Sequence, residues 1–480
     1  VVIPGAMSQS ELASAMPTSG GSFVFIERTF GPMFGTMAGL GLWASFLLKA
    51  AFALIGFSAY LMFVQGDLGT DITAIQAALG MLVLIAIINI LGMKRIKSIQ
   101  TPIVALTILM LVALTIWAIA SGEADYSRAR PVLQTTSDWT MMGETTAFVL
   151  ISYAGVAKVA AIGGEIKDPG RNLPGGIMTS LAIGAVLYAA LVATMVAVIP
   201  DEGFYGADGH AIEDPVRAFA EAVGGHYVAL FAAVVAVLTM TSMALAGILA
   251  ASRYLFAMSR DSLLPQSLED LHPKYDTPHI AIGLTALAMA TALVTIDVHQ
   301  VAEYASGFQI MVYVLMCLSV LVLRKASPSH AWYLPEYDAP FRPLLQLFGI
   351  VSGVTLLWLM GSEALIGAVS AAALGALIYQ IYGKRHLSHK ISPWETFRLM
   401  SSDPYRAESR RRSAAFFSAD TWGNNLLTLR QFTSCVEALG MEYEDADTLR
   451  DYFHAADENG DGLIHIDQFL MALEAMASED

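Results

Sequence analysis

Long apolar runs, each able to cross a lipid bilayer, dominate this chain up to about residue 385. A membrane-spanning helix needs about 20 consecutive apolar residues, because the hydrocarbon core of a bilayer is about 30 Å thick. A shorter run, Val1 to Met16, is followed by ten full runs. The full runs are 33–65, 71–92, 102–121, 143–163, 174–200, 226–258, 278–296, 299–323, 344–361 and 363–383. This pattern predicts an all-α, multi-span membrane bundle.

The amino-acid composition supports that prediction. Only 14% of the 480 residues are charged and 55% are hydrophobic, with a mean hydropathy of +0.57. A soluble domain carries roughly 25% charged residues, so this chain has too few charges to cover a water-facing surface of its size. We find no sequence signal for a nucleic-acid surface or for an enzyme's nucleophile–base pair.

Charged loops predict the orientation of the chain in the membrane. Lys and Arg are concentrated in alternate loops, for example around Lys94, Lys167, Arg324 and Lys384. Such loops face the cytoplasm, so we expect the C-terminus to be cytoplasmic. We also expect the plasma membrane, rather than an organelle, to hold the protein. Counting back places Val1 inside a helix, and we expect a further span to precede it.

Three stretches resemble the amino acid–polyamine–organocation superfamily of permeases. The first runs from Glu11 to Gly21, with the sequence ELASAMPTSGG, and resembles that family's loop after its second span. The second comprises Tyr153-Ala154-Gly155 and the segment GEIKDPGRNLP from Gly164 to Pro174, similar to the broken sixth span and the loop behind it. The third, RYLFAMSRDSLLP from Arg253 to Pro265, is similar to the end of the eighth span.

The resemblance covers residues 1–385 and implies a transport mechanism. It implies two inverted five-helix repeats plus two spans, with alternating access around a site at mid-membrane. The family's first span, whose Gly-rich break receives the substrate carboxylate, has no counterpart in this sequence. Amino acid transport is the leading hypothesis, and relatives that carry polyamines or cotransport cations with chloride are an alternative. A second alternative is a sensor or scaffold that does not transport.

The predicted break in the run 143–163 supplies the substrate-binding candidates. They are Ser152, Tyr153, Ala154 and Gly155, where a glycine weakens the helix and small polar neighbours offer hydroxyls. Broken helices at mid-membrane bind substrates through bare backbone groups. The alternative interpretation is that Gly155 serves a helix–helix contact.

Charged residues inside apolar runs supply candidates for coupling and gating. A Lys costs roughly 2.5–3.5 kcal/mol at a helix centre on insertion scales, so it usually faces a cavity or a partner. Lys49 and Lys158 are therefore coupling candidates, with a proton as the expected coupling ion. For Lys158, extension of the side chain to the headgroups is an equal alternative. Arg260 and Asp261 are candidates for an inner gate, or else form a simple loop turn.

The C-terminal segment differs in character from the rest of the chain. Residues 386–480 hold 17 Asp/Glu against 8 Lys/Arg, which indicates a soluble acidic tail. Residues 386–413 are predicted to be a cytoplasmic linker and 414–480 a small all-α pair of EF-hands. The two halves of the pair share a repeat, since 426–432 match 463–469 at an offset of 37 residues.

The second half contains a predicted calcium loop at 457–468. Its ligand candidates are Asp457, Asn459, Asp461, the Leu463 carbonyl and Gln468, at the positions that an EF-hand loop uses. Gln468 replaces the usual bidentate Glu, so we expect weak calcium binding or a loop that binds no calcium. The upstream loop, which begins at Asp420, is expected to bind nothing and to serve as the structural mate. No organic cofactor is predicted.

Overall fold

The computed structural model describes the chain mostly as α-helix. The described residues are 2–16, 21–68, 72–92, 96–122, 124–128, 168–206, 211–326, 333–384, 404–420, 425–439, 445–457 and 460–478, with isolated positions near 141–155, 166, 209, 394 and 441–443. Most of the predicted span 143–163 lies outside the described residues, as do Ala154, Lys158 and Asn459.

Twelve α-helices are described before residue 384. Their bounds are α1 Val2–Ala15, α2 Ser22–Phe30, α3 Pro32–Leu68, α4 Ala74–Ile90, α5 Ile96–Ala120, α6 Pro169–Val198, α7 Pro215–Gly224, α8 His226–Arg260, α9 His279–Thr295, α10 Val298–Ala326, α11 Leu344–Leu359 and α12 Ser362–Ile378. A short 3₁₀ helix covers Leu150–Tyr153, and a π-helical turn, Tyr379–Gly383, follows α12.

The prediction of a multi-span membrane protein is confirmed. Within the described ranges, six helices are long and apolar enough to cross a membrane, namely α3, α5, α6, α8, α10 and α12. The shorter apolar helices α4, α9 and α11 coincide with three further predicted runs. Helix α3 has 37 residues, which corresponds to a length of about 55 Å. It therefore tilts or extends beyond the hydrocarbon core, as its long run predicts. The inverted repeats stay a prediction.

Helices α3, α8 and α10 form the centre of the bundle. In α10, 72% of the apolar stretch is buried, whereas only 22% is buried in α5. Small residues permit the close approach of these helices. At Gly247 of α8, for example, an added Cβ would lie 2.6 Å from the Cβ of Ala50 on α3. The centre of the bundle is thus where side chains meet each other instead of lipid.

Residues 404–478 form a separate helical unit, called the C-terminal unit below. It contains α13 Pro404–Ala419, β1 Leu426–Thr428, α14 Leu429–Leu439, α15 Ala446–Ala456, β2 Leu463–His465 and α16 Ile466–Ser478. The two short strands pair antiparallel, with Leu427 opposite Ile464. Four phenylalanines, Phe416, Phe432, Phe453 and Phe469, fill its core. Helix α13 begins inside the range predicted as linker, and the strand pair adds a small sheet to a unit predicted to be all-α.

Candidate functional site

A cluster of polar side chains is buried where α3, α8 and α10 meet. We call this cluster, formed by Lys49, Gln309, Tyr254 and Tyr313, the polar junction. Each of the four side chains is at most 1% exposed. The Lys49 ammonium donates a hydrogen bond of 2.8 Å to Gln309 Oε1 across the α3–α10 contact. It also lies 5.3 Å from the centre of the Phe46 ring, a favourable cation–π distance.

Both tyrosines belong to the same cluster. The Tyr254 ring of α8 stacks on Phe46, with centroids 5.5 Å apart and planes 10° from parallel. Gln309 and Tyr313 are four residues apart on α10 and therefore share one face of that helix. Helix α1 also borders the junction, because a Cβ added at Gly5 would lie 2.8 Å from the Tyr313 ring. Three helices thus contribute side chains to the polar junction, and a fourth borders it.

A second polar cluster closes one end of the bundle, on the side predicted to face the cytoplasm. The Glu11 side chain of α1 is fully buried. Arg324, at the end of α10, donates from Nε to Glu11 Oε1 at 2.8 Å and from a terminal nitrogen to Oε2 at 2.5 Å. The Tyr333 hydroxyl and the Ala339 amide donate to the same carboxylate at 2.7 and 2.9 Å. One carboxylate therefore ties α1 to α10 and to the loop after it.

The pKa of Tyr333 reflects this environment. Burial raises the pKa of the phenol well above its usual value, and the neighbouring Glu11 charge and the hydrogen bond to Glu11 raise it further. Tyr333 therefore stays protonated at physiological pH and acts as a hydrogen-bond donor. The sequence did not predict that Glu11 and Arg324 form a site, although Glu11 lies inside an apolar run, the signal that identified Lys49.

The described part of the predicted break is irregular. Ser152 and Tyr153 lie in the 3₁₀ helix, and the Tyr153 ring contacts Tyr188 of α6 edge-on at 5.5 Å. Among the described residues, an added Cβ at Gly155 would meet no atom within 4 Å. Tyr153 also lines a cavity of about 500 Å³ that includes Val2 and Ser352. The 3₁₀ helix that holds Ser152 and Tyr153 contacts α10, the helix that carries Gln309 and Tyr313.

Arg260 and Asp261 are adjacent at the end of α8 and form a loose ion pair. Arg260 Nε lies 3.4 Å from an Asp261 carboxylate oxygen, and the two side chains are 47% and 32% exposed. Nearby, the Ser259 hydroxyl donates to the Pro265 carbonyl at 2.7 Å and fixes the turn that follows. The geometry is compatible with a local turn, and an inner gate at this position stays a prediction.

The predicted calcium loop has an ordered first residue. The Asp457 carboxylate accepts hydrogen bonds from the backbone amides of Gly460, Asp461 and Gly462 at 3.0, 3.2 and 2.9 Å. Gln468 Oε1 accepts a bond of 2.8 Å from the His465 amide. Across the described residues, no three His, Cys, Asp or Glu side chains gather as a metal site. Of the other predicted ligands that the structure describes, Asp461 offers a carboxylate, which accepts the Leu463 amide at 2.9 Å, and Leu463 offers a backbone carbonyl.

Comparison with known proteins identifies the family. The family model described as amino acid permease matches residues 1–381. The branched-chain amino acid permease of Bacillus subtilis is 28% identical over 400 residues, which cover 79% of this chain and 83% of that protein. The methylthioribose transporter of the same organism is 26% identical, with the same coverage of both chains. The serine/threonine exchanger of Bacillus subtilis is 24% identical, over 74% of this chain and 81% of the exchanger. The match confirms the resemblance found in the sequence, and the chain belongs to the amino acid permease family of transporters.

Proposed function

We propose that this protein is a secondary active transporter that carries amino acids by alternating access. The observation that carries the proposal is the buried polar junction, in which a lysine of α3 bonds a glutamine of α10 inside a permease bundle. Ionisable residues inside membrane proteins are expensive to bury and usually mark substrate or ion pathways. Two of the relatives are named for amino acids, which supports the same cargo class.

Of the two coupling candidates, Lys49 is the one that the structure describes. Ionisable residues inside membrane bundles usually mark ion or substrate pathways. The bond from Lys49 to Gln309 joins α3 to α10, so a relative movement of these helices would change the surroundings of the lysine. We therefore propose a proton as the coupling ion and Lys49 as the group that carries it.

A relative named for methylthioribose widens the range of cargo to be tested. The uptake panel should therefore include methylthioribose, a polyamine and rubidium with chloride besides the amino acids. Uptake of one of these and of no amino acid would contradict the proposed cargo. A well-folded protein that takes up none of them would favour the sensor or scaffold hypothesis.

The test is uptake by the full-length protein in proteoliposomes, with and without an inward proton gradient. We expect saturable uptake of one class of amino acids, accelerated by the gradient. Lys49→Met should abolish the acceleration, and Lys158→Met provides the comparison between the two lysines. Ser58→Ala is the control, because Ser58 is buried on the same helix and its hydroxyl donates to the Ile55 carbonyl one turn earlier. Equal acceleration in the Lys49→Met variant would contradict the coupling role.

We also propose that the C-terminal unit is an EF-hand pair that modulates transport by binding calcium. The supporting observation is the closed turn around Asp457, which holds a carboxylate among the amides of two left-handed glycines, Gly460 and Gly462. Calcium prefers several hard oxygens at once. Asp457, Asp461 and the Leu463 carbonyl fit that preference. Gln468 fits it in part, because its single amide oxygen carries no charge.

Calcium binding is measured on the full-length protein by equilibrium binding of radioactive calcium in excess magnesium. Asp457→Asn should abolish binding at this loop. The matched control is Asp420→Asn, at the same position of the upstream loop, which should leave binding unchanged. Gln468→Glu should tighten binding by about tenfold or more, because it adds a charge and a second oxygen. Calcium binding without any change in uptake would contradict the proposed modulation.

A further inference from the structure

The loop after α10 bonds both of the helices that the Glu11–Arg324 ion pair joins. We call residues 333–339 of this loop the strap. The first and last residues of the strap donate hydrogen bonds to the Glu11 carboxylate of α1. The Ala339 carbonyl accepts a hydrogen bond of 3.1 Å from the Arg324 guanidinium of α10. The ion pair and the strap therefore form one connected set of bonds between the ends of α1 and α10.

The strap also contacts the start of α6 and the last turn of α1. The Tyr337 amide donates to Ser14 Oγ of α1 at 3.2 Å. Glu336 lies against Gly170 in the first turn of α6, where an added Cβ would collide with the Glu336 side chain. Lys167 and Arg171 lie next to this turn, and their positive charge is typical of the cytoplasmic face. The strap thus gathers three helix ends at the predicted cytoplasmic side of the bundle.

A buried ion pair is a contact that can open without a large net cost. Inside the closed bundle, the attraction between the two charges is largely offset by the loss of their hydration. When the helix ends separate and water enters, each charge recovers its hydration. An apolar contact would instead lose free energy in proportion to the area that it exposes. The pair therefore specifies the closed arrangement of α1 and α10 and still lets the two helix ends separate.

We propose that Glu11, Arg324 and Tyr333 form the inner gate of this transporter. They close the contact between the ends of α1 and α10 in one state, and they separate in the state that is open to the cytoplasm. This inference rests on the proposed alternating access and names the residues that control its cytoplasmic side. Arg260 and Asp261 are neighbours in sequence, so their ion pair by itself joins no two helices. The Glu11–Arg324 pair spans two helices and meets that requirement.

Cys317 of α10 is a native reporter of the opening of this gate. It is 1% exposed and lies seven residues before Arg324, which places it about 10 Å deeper in the bundle. The Ser8 hydroxyl of α1 donates to Cys317 Sγ at 3.6 Å. On the other side, a Cβ added at Gly349 of α11 would lie 2.7 Å from the same sulfur. Separation of α1 from α10 at the gate therefore exposes Cys317 to water and to a thiol reagent.

The experiment measures how fast a charged, water-soluble maleimide labels Cys317 in the full-length protein. The protein is purified after labelling, and mass spectrometry distinguishes this label from one at Cys435. Inside-out membrane vesicles present the predicted cytoplasmic face to the reagent, and right-side-out vesicles present the opposite face. The variants are Tyr333→Phe and Glu11→Gln, which removes the charge and keeps the size of the side chain. The matched control is Asp338→Asn, which removes a charge from the exposed ion pair of the same loop.

We expect Glu11→Gln to speed labelling from the cytoplasmic face by about tenfold or more, because the loss of closed-state bonds shifts the population toward the open state. Tyr333→Phe removes one donor to the Glu11 carboxylate and should speed labelling by about fivefold. Asp338→Asn should stay within twofold of wild type. Labelling from the opposite face should not rise in any of these variants.

Two results would overturn the gate. One is a labelling rate of Glu11→Gln at the cytoplasmic face within twofold of wild type. The other is an increase from the opposite face that equals or exceeds the cytoplasmic one, which a loosened bundle would give. The labelling needs no substrate, so it tests the gate separately from the cargo. Wild-type protein that takes up none of the tested compounds would refute the proposed function instead, and the labelling would still decide whether this contact opens.

Discussion

Removing the Glu11 carboxylate should destabilise the transporter by about 3–5 kcal/mol, the usual cost of breaking a buried ion pair from one side. The burial of this pair places its interaction free energy at the upper end of the range for ion pairs in proteins. Glu11 is fully buried, the Arg324 side chain is only 15% exposed, and the carboxylate accepts four hydrogen bonds. The substitution Glu11→Ala removes the carboxylate that accepts three of the hydrogen bonds donated by the Arg324 guanidinium and the Tyr333 phenol.

A double-mutant cycle isolates the interaction between the two charges. Glu11→Ala, Arg324→Ala and the double variant are unfolded by titrating SDS into detergent micelles, with tryptophan fluorescence as the signal. Because each single variant strands a buried partner, the double variant should be less destabilised than the sum of the two, by about 2–3 kcal/mol. Additive effects would refute the argument that burial makes this pair strong.

The exposed pair Arg342–Asp338 is the matched control. Its side chains are 51% and 55% exposed, and it lies in the loop that also carries Tyr333. Solvent and side-chain entropy reduce such a pair to about 0–1 kcal/mol. If its cycle gave the same coupling as Glu11–Arg324, burial would not be the cause of either value.

The pH dependence of the cluster gives a further test of the same geometry. The pKa of Tyr333 is raised in the folded protein by burial, by the Glu11 charge and by its bond to Glu11, whereas the unfolded chain ionises a tyrosine near pH 10. The contribution of Tyr333 is therefore fully present below about pH 10 and declines as the pH rises further. Tyr333→Phe should flatten that alkaline decline, and an unchanged decline would show that Tyr333 is not its source.

Three further predictions follow from packing. Gly375→Ala should destabilise the bundle by about 1–3 kcal/mol, because its Cβ would lie 2.5 Å from the α3 backbone; Gly283→Ala, which meets no atom, is the control in the same unfolding assay. Burial raises the pKa of the Cys435 thiol to about 12, so a maleimide at pH 7.5 should label Cys435 only after denaturation, as followed by mass spectrometry; rapid labelling of native protein would contradict its burial. Trp394→Ala should increase amide hydrogen exchange at the end of α2, because the Trp394 ring contacts Phe30 with centroids 5.7 Å apart. Unchanged exchange there would show that this contact does not stabilise the end of α2.

The spans were predictable because lipid imposes a length and a composition that no other structural class shares. Nine of the ten predicted runs coincide with helices that the structure describes. The deep position of Lys49 was predictable for the same reason, since a charge inside an apolar run requires an explanation. Its partner Gln309 was not, because a glutamine 260 residues away has no local signal and is brought close only by the packing of α3 against α10.

The Glu11–Arg324 pair shows why two charges that are visible in the sequence were not predicted to contact each other. Glu11 stands inside a motif that resembles a family loop, and Arg324 stands in a loop whose positive charge already indicated orientation. Each residue had an adequate local interpretation, so nothing in the sequence required them to be paired. Their contact depends on how the end of α1 lies against the end of α10, which is a property of the assembled bundle.

The two loops of the C-terminal unit end in glutamines, Gln431 and Gln468, that make the same hydrogen bond. Asp420 accepts a hydrogen bond from the Asn425 amide at 2.7 Å, as Asp457 does from the Gly462 amide. The Thr428 amide donates to Gln431 at 2.9 Å, as the His465 amide donates to Gln468. The repeat at an offset of 37 residues is therefore a repeat of hydrogen bonds as well as of apolar positions. In both loops the glutamine oxygen caps the start of the next helix, so that a cation must share that oxygen with a backbone amide. Because a glutamate would supply one oxygen for the cap and another for the cation, the change Gln468→Glu separates the structural role of this position from a metal-binding one.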